Sequence, residues 1–152
     1  MEVFLLRRFR FRYQNLLEVK EKYEDIIKRK LNEAQIKFEE AKKQLDILED
    51  NKKKYQESIN LNVKKGVDIG YLRMHDLFLM NLKREIRKQI EVIEVCKDEV
   101  NKCRMELMKA SKEKRIFEKL KEKERENFHY IEKKEEDSLI DQLVTFKNYK
   151  SN

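Results

Sequence analysis

The stretch NVKKGVDIG at residues 62–70 contains both glycines of this 152-residue chain, Gly66 and Gly70, and the chain has no proline. Glycine and proline disfavour helix more than any other residues, so a chain that has them in one place only should have one interruption. Gly66 can take a positive φ and end a first helix, and Asp68 is a good N-cap for a second. The stretch therefore predicts the turn of a helical hairpin.

The composition favours long solvated helices over a compact core. Charged residues make up 44% of the chain and hydrophobic residues 39%, and tryptophan is absent. The length would suit one ordinary domain, but so polar a chain cannot fill a globular core and instead suits a helix with one apolar stripe. Disorder is the competing interpretation, yet disordered chains lack a sustained apolar period.

A heptad seam of apolar and small residues runs along both halves of the chain. The spacings alternate between four and three residues, which is typical of a left-handed coiled coil. In the first half the seam consists of Ile27, Leu31, Ala34, Phe38, Ala41, Leu45, Leu48, Tyr55 and Ile59. In the second half it consists of Leu79, Leu82, Ile86, Gln89, Ile93, Cys96, Val100, Cys103, Leu107, Ala110, Lys114 and Phe117. The sequence thus predicts an all-α fold, a long antiparallel two-helix coiled coil in the form of a helical hairpin.

The whole chain is predicted to be a single coiled-coil domain. We expect helix one over about 8–63, a turn over about 64–68 and helix two over about 69–145. Pairing about the turn places residue i opposite residue 132 − i, so helix two should have no partner beyond about residue 123. This unpaired part is the C-terminal overhang.

Two other topologies remain open from the sequence: one continuous helix per chain in a parallel dimer, and a hairpin that dimerises into four helices. The free protein is therefore expected to be a monomer or a homodimer. Ile36, Ile47, Ile90 and Val92 lie off the seam and could serve a wider buried face or a dimer contact, although scattered exposed apolar residues are normal.

The net charge of +7 is concentrated in two patches, residues 1–12 and residues 51–65. Elsewhere acids and bases alternate and cancel, as on a solvated helix face. Binding to a phosphate backbone would need a continuous basic stripe, so we expect no nucleic-acid partner. The basic, apolar N-terminus could instead be an amphipathic membrane anchor. No signal peptide is evident, and no segment approaches the transmembrane length of about 18 apolar residues.

The sequence predicts no enzyme, metal site or cofactor. His75 and His129 lie near the two ends of helix two and cannot share a site within one hairpin, and no phosphate-binding loop is present. Cys96 and Cys103 are seven residues apart, about 10.5 Å along a helix, which is too far for a disulfide within that helix. We expect both to be free thiols in a reducing cytoplasm.

Apolar residues beyond those the seam requires mark candidate interaction surfaces. FLLRRFRFRY (4–13) crowds aromatics and arginines, either as a docking site or as a frayed coiled-coil end, whereas EKLKEKERENF (118–128) reads as a solvated face. In IGYLRMHDLFLM (69–80) the seam needs only Leu72, His75 and Leu79, and we expect the apolar excess to be a partner site. That excess consists of Tyr71, Met74, Leu77, Phe78 and Met80.

Several of these segments resemble the flagellar export protein family FliJ over almost the whole chain. They are FRFRYQNLLEVKEKYED at 9–25, the mid-chain glycine turn with the aromatic and leucine residues after it, and Ala110 followed by KRIFEKLKEKE at 114–124. The Phe-Arg-Phe-Arg opening, the leucine pair Leu16 and Leu17, and EKLKE are the most specific elements. The extension MEVFLLRR departs from the family pattern, and the far C-terminus LIDQLVTFKNYKSN offers no firm match.

The resemblance implies a non-enzymatic stalk of the flagellar type III export apparatus, cytoplasmic and peripheral to the inner face of the membrane at the flagellar base. FliJ-like proteins resemble the rotor stalk of rotary ATP synthases and associate with the hexameric export ATPase FliI, the export gate FlhA and export chaperones. The alternative is a generic coiled-coil adaptor, or a basic helical protein that binds membranes or nucleic acid.

The resemblance also assigns residues to partners. By position, the end that approaches the ATPase comprises Phe9, Arg10, Phe11, Arg12, Glu118, Lys119, Leu120, Lys121 and Glu122. The hairpin tip, which is expected to reach the gate, offers Tyr71, Met74, His75, Leu77 and Phe78.

Overall fold

The structure is a computed structural model that describes residues 8–151. This part of the chain contains two α-helices, α1 over Gln14–Lys64 and α2 over Ile69–Ser151, and no strand. The two helices pack against each other as a hairpin, which confirms the predicted all-α antiparallel coiled coil. The expectations for the N-terminal extension that concern residues 1–7 lie outside the described residues.

The C-terminal end of α1 is formed by the conformation of one glycine. Gly66 has a φ of 90°, the left-handed region that glycine adopts most easily. The amides of Lys65 and Gly66 donate to the carbonyls of Asn62 and Val63 at 3.1 Å each. These bonds between residues three apart tighten the last turn and satisfy carbonyls that the helix leaves free.

The second helix begins after Asp68, as the sequence predicts. The Asp68 carbonyl accepts the amide of Leu72 at 3.3 Å, so Asp68 occupies the N-cap position of α2. Gly70 lies inside the first turn, and a β-carbon placed there would meet only the Asp68 Oδ2 atom, at 3.5 Å. The two glycines therefore differ in kind, because only Gly66 needs its conformational freedom.

The predicted heptad seam is the buried face of both helices. The predicted seam residues from Ile27 to Ile59 on α1 and from Leu79 to Phe117 on α2 are all buried or half-buried, whereas their neighbours are mostly exposed. The predicted seam residue Leu72, beside the turn, is exposed. The polar seam residue Gln89 is satisfied, because its Nε2 atom donates to the Ala41 carbonyl at 2.9 Å. Cys96 is half-buried and Cys103 buried, both as free thiols. Burial, with Glu99 adding to it, raises the pKa of the Cys103 thiol and so lowers its reactivity.

The chain divides into two compact units. The tip unit is Ile26–Met108, which contains the turn; its buried cluster of Ala34, Val100 and Cys103 is packed by Leu31 and Phe38. The terminal unit is Met1–Asp25 with Lys109–Asn152, of which residues 8–25 and 109–151 are described. Its buried residues are Phe11, Leu17, Glu24 and Ala110.

Helix α1 begins at Gln14 and not near residue 8, which corrects the predicted boundary. Residues 8–12, which we call the N-terminal strap, lie outside the helix, and within them Phe9 is half-buried and Phe11 is 7% exposed while the three arginines are exposed. Residues two apart face the same side of an extended chain but nearly opposite sides of a helix. The alternation of inward phenylalanines with exposed arginines therefore follows the two-residue period of an extended chain and not that of a helix.

The unpaired part of α2 also begins later than residue 123. The Phe9 ring lies 5.8 Å from the Phe128 ring, so the strap covers α2 beyond the point where α1 starts. Helix α2 then continues to Ser151 rather than ending near residue 145. All side chains of residues 133–151 are exposed.

Two ion pairs join the helices within the terminal unit. Lys114 Nζ lies 3.0 Å from Glu24 Oε1, and Glu24 is only 4% exposed. The hydrogen bond with Glu24 raises the pKa of Lys114. Lys20 Nζ lies 3.0 Å from Glu113 Oε2, and this hydrogen bond lowers the pKa of Glu113. Charged pairs at or beside a seam fix the register of a coiled coil more than they add stability.

The two glycines supply a matched test of the turn. Gly66→Ala should lower the free energy of unfolding by about 1–2 kcal/mol, because an L-residue is strained at positive φ even though open space surrounds the site. Gly70→Ala should leave it unchanged or raise it by up to about 1 kcal/mol, because alanine favours helix. Urea unfolding followed by circular dichroism measures both, and equal effects would contradict the assigned turn.

The buried pair supplies a second test. Lys114→Leu should lower the free energy of unfolding by about 2–3 kcal/mol, since it removes the ammonium group that is hydrogen-bonded to the buried Glu24 carboxylate. Glu24→Leu combined with Lys114→Leu should restore the wild-type value or exceed it. Lys54→Leu, which breaks an exposed pair with Asp50, is the control and should cost less than about 1 kcal/mol.

The same pair predicts an alkaline effect. Because the pKa of Lys114 is raised, its contribution is fully present below the ordinary value of 10.5 and is lost as the pH rises through the raised value. Urea unfolding is therefore compared at neutral pH and at a pH above the raised pKa of Lys114. Between the two, the free energy of unfolding should fall more for wild type than for the Glu24→Leu/Lys114→Leu variant. A parallel loss in both proteins would contradict this contribution.

Candidate interaction surfaces

The described residues offer no cluster of metal ligands. Residues 8–151 contain no group of three or more histidine, cysteine, aspartate or glutamate side chains that could hold a metal ion. His75 is half-buried, with its Nδ1 atom hydrogen-bonded to the Tyr55 hydroxyl, and His129 lies 3.6 Å from Glu132 on the same helix. The candidate functional sites are therefore interaction surfaces on the two units.

The first surface, which we call the tip patch, is the exposed apolar face of the first turns of α2. Met74 is 69% exposed, Leu77 64% and Phe78 47%. Residues three and four apart lie on one helix face, so these three side chains are neighbours. Further exposed apolar residues in this part of the tip unit are Leu61, Val63, Ile69, Leu72 and Met80.

Two residues predicted for the tip surface have a different position. Tyr71 and His75 are half-buried, and their ring centroids lie 4.0 Å apart. The Tyr71 hydroxyl accepts the Asn62 side-chain amide at 2.7 Å. Beside the turn, the inward residue before His75 is four positions away instead of the expected three. Tyr71 therefore takes the inward position that the sequence predicted for Leu72. Both side chains therefore pack against α1, through Asn62 and Tyr55, rather than standing in the exposed patch.

The packed aromatics hold part of the patch in place. The Tyr55 ring from α1 lies 4.4 Å, centroid to centroid, from the Phe78 ring, and the Tyr55 hydroxyl bonds to His75. Phe78 is thus anchored on one side and open to solvent on the other. The exposed residues that α1 adds near the turn, Leu61 and Val63, are absent from the sequence prediction, although they are apolar and off the seam.

The second surface is a cleft in the terminal unit between the strap and α2. This terminal cleft has a volume of about 410 Å³ and is lined by Phe9, Arg10, Phe11, Gln14, Lys121 and Arg125. The Arg125 guanidinium lies 5.5 Å from the centre of the Phe9 ring, within reach of a cation–π contact. Predicted residues from the two ends of the chain, Arg10 and Lys121, thus line one cleft.

The other predicted residues of this end differ in exposure. Phe11 is 7% exposed and its ring lies 5.9 Å from the Tyr13 ring, so it is a packing residue of the strap. Leu120 is half-buried. The remaining four predicted residues are exposed: Arg12, Glu118, Lys119 and Glu122. Gln14 and Arg125 were not predicted, because their role depends on where the strap folds.

Other apolar side chains are exposed as well. The off-seam residues Ile36, Ile47, Ile90 and Val92 are each close to half exposed, so they add nothing to a wider buried face within the hairpin. The last turns of α2 carry a further exposed apolar group, which the sequence reasoning missed: Leu139, Ile140, Leu143, Val144, Phe146 and Tyr149. Over residues 8–151, neither helix has a stretch that is apolar enough and long enough to span a bilayer.

Comparison with known proteins gives one family. The model of the flagellar FliJ protein family matches residues 9–152, nearly the whole chain. The match starts within the strap, at Phe9, leaves out the whole extension MEVFLLRR (1–8), and includes the C-terminal residues for which the sequence resemblance offered no firm counterpart. Searches of curated proteins and of solved structures give no significant match. The chain belongs to the flagellar FliJ family, whose members are accessory proteins with a role in flagellar export.

Proposed function

We propose that this protein is a stalk of the flagellar export apparatus that links the hexameric export ATPase to the export gate and promotes protein export, with export chaperones as further partners. Its site of action is cytoplasmic, at the inner face of the membrane at the flagellar base. The observation that carries the proposal is the presence of two unlike surfaces on one hairpin, an apolar tip patch and a basic, aromatic terminal cleft.

The tip patch is suited to a stable protein contact. Large apolar side chains that stay exposed beside a filled seam gain free energy only when a partner covers them. Phe78 also has the form of an interface anchor, since its ring is already fixed against Tyr55 and loses little freedom on binding. We assign the gate to this patch, with Met74, Leu77 and Phe78 in contact and with Tyr71 and His75 supporting them from beneath.

The terminal cleft is suited to a different partner. Its rim is cationic, and its walls are the phenylalanine rings of the strap. We assign the ATPase to this cleft and to the neighbouring residues Glu118–Glu122 on α2. Phe11 contributes to ATPase binding only indirectly, because its buried ring holds the strap in position.

The coiled coil gives such a stalk its mechanical property. Ion pairs between α1 and α2 in the terminal unit, such as Lys20 with Glu113, resist sliding of one helix along the other. A conformational change of the ATPase would therefore move the terminal unit as one body rather than slide one of its helices along the other. This is the physical requirement for coupling nucleotide turnover to export.

The assignment of the ATPase can be tested at the strap. Phe9→Ala combined with Leu120→Ala should weaken binding to the export ATPase hexamer by about tenfold or more, the loss expected when interface anchors are truncated. Ile36→Ala with Ile47→Ala, which removes two half-exposed side chains of the tip unit, should bind as wild type does. Surface plasmon resonance measures the affinities, and equal ATPase binding by the strap variant would contradict the assignment.

The assignment of the gate can be tested at the tip patch. Met74→Ala combined with Phe78→Ala should weaken binding to the cytoplasmic part of the export gate by about tenfold, with helicity unchanged by circular dichroism. Met105→Ala, at a methionine that is 72% exposed elsewhere in the tip unit, is the matched control. Unchanged gate affinity in the double variant would mean that the exposed residues at the tip have no role in gate binding.

A further inference from the structure

The terminal cleft carries positive charge that the described chain does not neutralise. Arg10, Lys121 and Arg125 line it, and none of the three forms an ion pair with another described residue. Other lysines of the same unit, Lys20 and Lys114, are paired at 3.0 Å. The cations of the cleft are therefore available to an anion from outside.

The cleft also has an apolar wall. Phe9 is half-buried against Phe128 and Arg125, and part of its surface lines the cleft. Phe11 is almost fully buried beside it. A ligand that satisfied the cations alone would leave this wall in water, so the complementary ligand carries an anion next to an apolar group.

The size and the neighbouring charges limit the ligand further. A volume of about 410 Å³ is near the lower end for ligand pockets and admits one or two side chains. Carboxylates on α2 flank the basic residues, with Glu118, Glu122 and Glu124 exposed or half-exposed between the lysines. A phosphate backbone or a flat anionic membrane would be brought against those carboxylates, whereas a single side chain can enter between them.

We propose that the terminal cleft binds a carboxylate side chain of an acidic peptide segment, held by Arg10, Lys121 and Arg125, with an adjacent apolar side chain of the segment packed against Phe9. Arginine suits this task because its planar guanidinium can bind a carboxylate through two parallel hydrogen bonds. The inference rests on the proposed function only for the identity of the partner: the acidic segment belongs to the surface that the ATPase presents to the strap.

A labelled peptide tests the chemistry directly on the full-length protein. The probe is a capped, fluorescein-labelled octapeptide of alternating glutamate and leucine, and its neutral counterpart has glutamine for every glutamate. Fluorescence anisotropy should show at least tenfold tighter binding of the acidic peptide. Arg10→Gln with Lys121→Gln should remove most of that preference, while Lys43→Gln with Lys53→Gln, the same loss of charge on exposed lysines of the tip unit, should keep it.

The inference is overturned if wild type binds both peptides alike, or if the cleft variant binds the acidic peptide as wild type does. Phosphatidylserine vesicles form a second arm of the experiment. A cleft variant that loses vesicle binding while keeping its peptide affinity would show that the cleft binds a membrane surface and not a peptide. Binding to the ATPase separates the two proposals. A cleft variant that no longer binds the peptide but still binds the ATPase would support the proposed chemistry of the cleft. The same result would contradict the assignment of the ATPase to this end of the hairpin.

Discussion

A two-helix coiled coil has a single seam in which apolar side chains can escape water, and the rest of this molecule depends on that constraint. Small residues such as Ala34, Ala41 and Ala110 let the helices approach closely, and larger ones such as Ile27 are fully enclosed. Each helix has only this one face to bury, so every other apolar side chain stays in solvent unless something else covers it. A single exposed apolar side chain is therefore ordinary on this scaffold, and only a cluster such as the tip patch indicates a binding surface.

The seam and the turn could be predicted from the sequence because both are local rules. The heptad spacing fixes which side of a helix is buried, and Gly66 alone needs a backbone conformation that side chains oppose. The start of α1 could not be predicted in this way, because the strap is stabilised by Phe128, more than a hundred residues away. A period-two alternation of phenylalanine with arginine over residues 8–12 was nevertheless present and indicates an extended chain.

The residues of the candidate surfaces also differ in whether local sequence rules could predict their positions. Met74, Leu77 and Phe78 could be identified by subtracting the seam from a continuous apolar segment, and they are exposed. Tyr71 and His75 could not be placed, because the seam shifts beside the turn and takes Tyr71 instead of Leu72. The family resemblance assigned four of the six residues that line the terminal cleft to this end (Phe9, Arg10, Phe11 and Lys121), but the cleft itself could not be predicted. The cleft exists only because the strap lies along α2, and that placement also buries Phe11, which the sequence alone presents as a surface aromatic.

The exposed last turns of α2, residues 133–151, have a thermodynamic consequence of their own. An isolated helix in water has a costly nucleus, because forming its first turn fixes several residues for one hydrogen bond. Here the coiled coil supplies that nucleus, so each further residue needs only favourable propagation. The position at which helix gives way to coil is therefore set by temperature and solvent, and unwinding proceeds from Ser151 inward. A molecule that covered Leu143 and Phe146 would move this boundary outward, and slower amide exchange would record it.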